Sequence, residues 1–134
     1  MTEIRLPARL DSWERVYEFL SENLDRLNCS EKAKMQVLVA AEEIYVNIAR
    51  YAYQEGEGMV CVEVERSEET GQIRITFTDN GIRYDPLKRE NPDITLSAEE
   101  RQIGGLGIYM VKKMMDDVKY RYEDGKNILT ISKS

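Results

Sequence analysis

The chain has 134 residues, 42% of them hydrophobic and 33% charged, which is the size and mix of one soluble domain. Its 25 acidic residues outnumber 19 basic ones for a net charge of −6, so it lacks the basic stripe that displaces counterions from nucleic-acid phosphates. The absence of histidine excludes a serine-histidine-aspartate triad, a phosphorylatable histidine and imidazole acid-base chemistry. No apolar run reaches the roughly 18 residues of a membrane span, and the first residues lack the basic and apolar regions of a signal peptide. Cys29 and Cys61 have neither metal-ligand spacing nor a disulfide framework, so a reducing cytoplasm is the expected compartment, with no membrane and no nucleic acid as partner.

Ile4, Leu6 and Ala8 alternate weakly and predict a short strand over 3–8. Asp11 followed by Glu14 has the spacing of a capping box, and Trp13, Val16, Leu20, Leu24 and Leu27 then recur at helical spacing, which predicts a helix over 12–27. Ser30 can cap a second, longer helix to Tyr53, whose stretch Val37–Ala49 is apolar on nearly every side and is expected to be buried. Val60, Val62 and Val64, then Ile73, Ile75 and Phe77, alternate as two strands of an antiparallel hairpin ending at Asp79-Asn80-Gly81. Residues 82–103 carry two prolines and many charges and read as a long loop with a short helical turn from Ser97, a length that is usually functional in a compact domain. Gly104-Gly105-Leu106-Gly107 opens a third helix with Leu106, Met110, Val111 and Met114 facing inward, and strands at 118–122 and 128–132 joined by Asp124-Gly125 close the chain. The expected architecture is α+β: a single domain over 1–134, a two-layer sandwich with a mixed, mostly antiparallel sheet covered on one face by helices.

Three groups of residues can carry chemistry. Glu43 and Asn47 lie four apart on the second helix, so they stack one turn apart. An amide oxygen there suits magnesium and a carboxylate could take a proton, although the same spacing also fits an exposed polar strip or a satisfied core amide. Asp79 can accept a hydrogen bond from an exocyclic amine, with Gly81 letting a flat base approach, and Asp-Asn-Gly equally fits an ordinary turn. The glycines at 104, 105 and 107 precede a helix whose first N–H groups make an anion site, or they are a flexible connection.

The order and separation of these groups resemble the ATP site of the GHKL superfamily with its Bergerat fold, and more closely its anti-sigma factor and serine-kinase branch. The segments that carry the resemblance are Glu42 to Ala49, Asp79-Asn80-Gly81 with Tyr84-Asp85-Pro86, Ile103 to Lys113, and Asp124 to Thr130. It implies Glu43 as general base, Asn47 as magnesium ligand, Asp79 and Gly81 as the adenine-reading pair, and Gly104, Gly105, Leu106 and Gly107 as the phosphate cradle, with 84–103 as an ATP lid. It also implies ATP and Mg2+ as cofactors, a serine of a STAS-type anti-sigma factor antagonist as substrate, a sigma factor as second partner, and a homodimer through the first strand and helix. The alternative function is an ATP-gated protein-binding module without phosphoryl transfer. Arg83 replaces the last glycine of Asp-x-Gly-x-Gly, Tyr51 stands where relatives often place histidine, and Asn127 stands where many have threonine. Arg50, Arg101 and Lys113 are within reach of phosphates or are solvated charges.

Overall fold

The computed structural model describes residues 2–53, 58–88 and 105–134. Strand β1 (Thr2–Pro7) leads through a 3-10 turn, Leu10–Ser12, into helix α1 (Trp13–Arg26) and helix α2 (Glu31–Tyr51). Strands β2 (Met59–Arg66) and β3 (Ile73–Asp79) form the first hairpin, a 3-10 turn spans Pro86–Lys88, and α3 (Gly105–Met114) precedes β4 (Asp117–Glu123) and β5 (Lys126–Lys133). The helical turn expected from Ser97 lies outside the described residues.

The sheet order is β1-β2-β3-β5-β4, and all four pairings are antiparallel, so no parallel pair enters a sheet that the sequence led us to expect as mixed. Alternation decides its faces. Leu6, Val60, Val62, Val64, Ile75, Phe77 and Ile131 turn toward the helices and are buried, whereas Glu3, Arg5, Arg74, Lys119 and Arg121 occupy the open face. Against this layer α1 sets Val16, Leu20 and Leu24, and α2 sets Val37, Ala40, Ala41 and Ile44. Buried Tyr45 ties α2 to the end of β1 by donating to the carbonyl of Arg9 at 2.6 Å.

Several local expectations change. Ser30 does cap α2, its Oγ accepting from Ala33 N at 3.1 Å, but Asp11 is not a cap: α1 begins after Ser12 without a side-chain cap bond, and the Asp11 carboxylate pairs with Arg9 at 3.0 Å. The 3-10 turn shifts the helix start by one residue and takes Asp11 off the capping position. Nor is α2 buried all round, since Met35 (68% exposed) and Val39 stand outward on a helix packed between sheet, α1 and α3 on its other faces. On α3, Val111 and Ile108 are buried, as is Met115 just after it, whereas Met110 is 42% exposed. A helix on the surface of a two-layer sandwich buries only one stripe, and Met110 is off it.

Candidate functional site

A cleft with a cavity volume of about 50 Å³ opens between the second half of α2, the end of β3 and the start of α3, with apolar walls from Ile44, Ile48, Phe77, Ile82, Ile108 and Leu129. Its polar edges are Asn47, Asp79 and Asn127 with the phenols Tyr51, Tyr84 and Tyr120. Apolar walls with few polar groups are the usual build of a site for a flat heterocycle.

Asp79 closes β3 on the inward face, where alternation would set another apolar residue, and is only 5% exposed. Its Oδ1 accepts from the Gly81 N–H at 2.9 Å and from Asn127 Nδ2 at 3.0 Å. Among the described residues no donor reaches Oδ2. Burial pushes the carboxyl above its ordinary range, and the bonds from Asn127 and Gly81 hold it partly back. A buried acceptor with one oxygen unmatched is costly by itself and favours a ligand bearing a donor.

Asn47 faces the same cleft from α2, half-buried, and its amide makes no hydrogen bond among the described residues. Glu43, one turn earlier, is half-buried and lies outside the cleft lining among the described residues; no partner there binds its carboxylate. Partial exposure leaves both groups in reach of water, so neither needs the buried counter-charge that an all-buried helix would have required.

Packing by itself requires a glycine at 81. A Cβ built there would lie 2.2 Å from the carbonyl oxygen of Ala52 and 2.6 Å from its carbon. The end of α2 therefore packs against this position, and the Ala52 carbonyl accepts from Ile82 N at 2.9 Å. Helix α3 starts at Gly105, so Gly105 and Gly107 form its first turn together with Leu106. That first turn carries N–H groups without intrahelical partners, and Ile108 just beyond it lines the cleft. Gly104, Arg101 and most of 84–103 lie outside the described residues. Arg50 is exposed, and Lys113 Nζ sits 5.5 Å from the centroid of the Tyr109 ring.

Two residues to which the sequence analysis gave no role of their own shape the site. Asn127 is 7% exposed and bonds Asp79, Ile82, Tyr84 and Tyr120. The signal was present: Asn127, Leu129 and Ile131 share the inward face of β5, so a polar residue there needs a reason. Tyr53 donates to the Met59 carbonyl at 2.7 Å and accepts from Asn80 N at 2.9 Å, bracing the end of β3 from beyond α2.

The same chain is similar along most of its length to proteins already known. Residues 6–133 match the family described as "Histidine kinase-like ATPase domain". The serine-protein kinase RsbW of Listeria monocytogenes serovar 1/2a is 29% identical over 131 residues, 94% of this chain and 82% of that protein, and a protein of the same name from Bacillus cereus is 26% identical over 95% and 81%. The crystal structure of the RsbU and RsbW domains of Rv1364c from Mycobacterium tuberculosis has the same fold, with a TM-score of 0.63 at 14% identity, covering 99% of this chain and 32% of that one. The apolar cleft, its half-satisfied carboxylate and a family match that runs from the first strand to the last lead to one assignment: the chain belongs to the histidine kinase-like ATPase domain family.

Proposed function

We propose that this chain is an ATP-dependent protein serine kinase that doubles as an anti-sigma factor. The observation that carries the nucleotide reading is the buried Asp79 carboxylate at an apolar cleft, with Oδ2 lacking a donor among the described residues. The exocyclic amine of adenine is such a donor, whereas guanine would set an acceptor against it. Asn47 offers an amide oxygen without a partner among the described residues, the hard ligand that Mg2+ prefers, and stands across the same cleft. The first turn of α3, with Gly105, Leu106 and Gly107, offers N–H groups to phosphate oxygens, and Gly104 extends the same glycine run. ATP supplies the phosphoryl group when bound. Glu43 orients the acceptor hydroxyl and takes its proton, a role that the partial exposure of its carboxylate permits.

The acceptor is a protein serine, which the names of the relatives support; that it belongs to a STAS-type anti-sigma factor antagonist, with a sigma factor as second partner, follows from the resemblance. Tyr17 is 47% exposed beside Trp13 on α1 and would serve a homodimer through β1 and α1. The working compartment is the cytoplasm.

The position of Glu43 outside the cleft lining favours a second reading, a binding module that ATP switches without phosphoryl transfer. Two measurements separate them. Mg-ATP must bind at least tenfold more tightly than Mg-GTP by calorimetry; equal affinities would remove Asp79 from base recognition. With a purified STAS antagonist, Glu43→Gln should keep Mg-ATP affinity and lose about 100-fold in phosphoryl transfer. A partner that wild type never phosphorylates, yet binds more tightly with ATP, leaves only the gated module.

A further inference from the structure

Asn127 opens β5 directly opposite Asp79 in the antiparallel register, with both side chains on the helix-facing side of the sheet. Its carboxamide uses every donor and acceptor position on the protein. Nδ2 donates to Asp79 Oδ1 at 3.0 Å and to the Ile82 carbonyl at 2.8 Å, with Gly81 O at 3.4 Å as a longer contact. Oδ1 accepts from Tyr84 N at 3.2 Å and from the Tyr120 hydroxyl at 2.5 Å. A backbone N–H can only donate and a carbonyl can only accept, so these partners fix which end of the amide is oxygen. With no hydrogen bond left to give a ligand, this side chain acts only through its neighbours.

We propose that Asn127 is the positioning residue for base recognition: it occupies one oxygen of Asp79, leaves the other for the ligand, and ties that carboxylate to the backbone at 82–84. The inference rests on the reading of the cleft as an adenine site. Its consequence concerns the sense of the hydrogen bond at Asp79. While Nδ2 holds Oδ1, its N–H favours the ionised carboxylate, the form that presents an acceptor. Without that donor, burial is opposed only by the Gly81 N–H, which moves the carboxyl further above its ordinary range and towards the protonated form that presents a donor. The titratable groups that feel the Asp79 charge are the phenols Tyr53 and Tyr120, and neither replaces the lost amide. Adenine N6 donates where hypoxanthine O6 accepts, so the two bases report which state is present.

The test is the affinity of wild type and Asn127→Leu for Mg-ATP and Mg-ITP by calorimetry at several pH values. Wild type is expected to favour ATP by tenfold or more, about the cost of one mismatched buried hydrogen bond. In Asn127→Leu the preference shrinks to within about threefold of unity at neutral pH and recovers as pH rises. Weakened packing alone would lower both affinities together and leave their ratio unchanged. Equal affinities in the wild type would overturn the adenine site and this inference with it, whereas discrimination in wild type that Asn127→Leu retains overturns the inference alone. If Asn127→Leu gives no cooperative melting transition, Tyr120→Phe decides: it removes one bond to Oδ1, and both a smaller fall in the ratio and faster hydrogen exchange at the Tyr84 amide are expected. Wild-type ratio and exchange in Tyr120→Phe overturn the proposal.

Discussion

Replacing Gly81 by alanine places a methyl group 2.2 Å from the Ala52 carbonyl oxygen and 2.6 Å from both its carbonyl carbon and its Cβ. Ordinary contacts of this kind begin near 3.4 Å, so the chain must open by about an ångström, and two of the three atoms are backbone at the end of a 21-residue helix. Overpacking of this kind typically costs about 1–3 kcal/mol. The displacement also strains the Ile82 N–H bond to Ala52 at 2.9 Å and the Asn127 bond to the Ile82 carbonyl at 2.8 Å, adding about 1 kcal/mol if one is lost. A total of about 2–4 kcal/mol corresponds to a fall in melting temperature of roughly 6–15 °C for a domain of this size. Thermal unfolding without nucleotide measures it directly. Gly71→Ala is the control, because Gly71 has φ +76° and nothing within 4 Å of a built Cβ, so it bears only the left-handed penalty of about 1–2 kcal/mol. If Gly81→Ala melts within about 2 °C of wild type and loses only nucleotide binding, the glycine serves the ligand and not the end of α2, and the packing argument is wrong.

Asp79→Asn relieves the burial of a charge while its side-chain oxygen can still accept from Gly81 and Asn127. Because the folded carboxyl is held above its ordinary range, the native state takes up this proton more readily than the unfolded chain, so stability without nucleotide rises as pH falls through the folded pKa. The variant should therefore melt above wild type at pH 7, with the gap closing as pH falls, and should bind ATP at least tenfold more weakly; a variant that melts lower at pH 7 would contradict this. Cys61 is pushed up to about 12 by burial and by its bond to Glu3 at 3.0 Å, so iodoacetamide at pH 8 should label it far more slowly than half-buried Cys29, and Glu3→Gln should speed the reaction. Equal labelling rates by mass spectrometry would count against the assignment. Ser30→Ala should cost about 1 kcal/mol in denaturant unfolding, whereas Asp11→Ala, which removes a surface pair with Arg9 and no cap, should change little.

The elements were legible in the sequence because each is written in local periodicity. Alternation at 60–64 and 73–77 marks strands whatever they pair with, and the Ser30 cap is set by a residue three positions from the N–H it satisfies. Of the polar positions singled out in the sequence, Asn47 and Asp79 line the cleft, because each interrupts an apolar face that the fold turns toward it. What failed was local reasoning where a neighbouring element competes. Asp11 lost the cap to a 3-10 turn, and Met110 fell outside the stripe that one packed face allows.

The sequence by itself determined the α+β class, the strand and helix boundaries to within a few residues, and the polar positions that interrupt apolar faces. These follow from side-chain periodicity and from what water excludes, which act on neighbours along the chain. Only the tertiary structure decided that Asn127 faces Asp79, since that contact depends on the register between strands 48 residues apart. It alone decided that Gly81 makes room for Ala52, because a missing Cβ acquires meaning only from the backbone packed against it. The same holds for the pairing state of each Asp79 oxygen: a carboxylate is half-satisfied or complete according to which donors the folded chain brings within reach, and no spacing along the sequence records that distance.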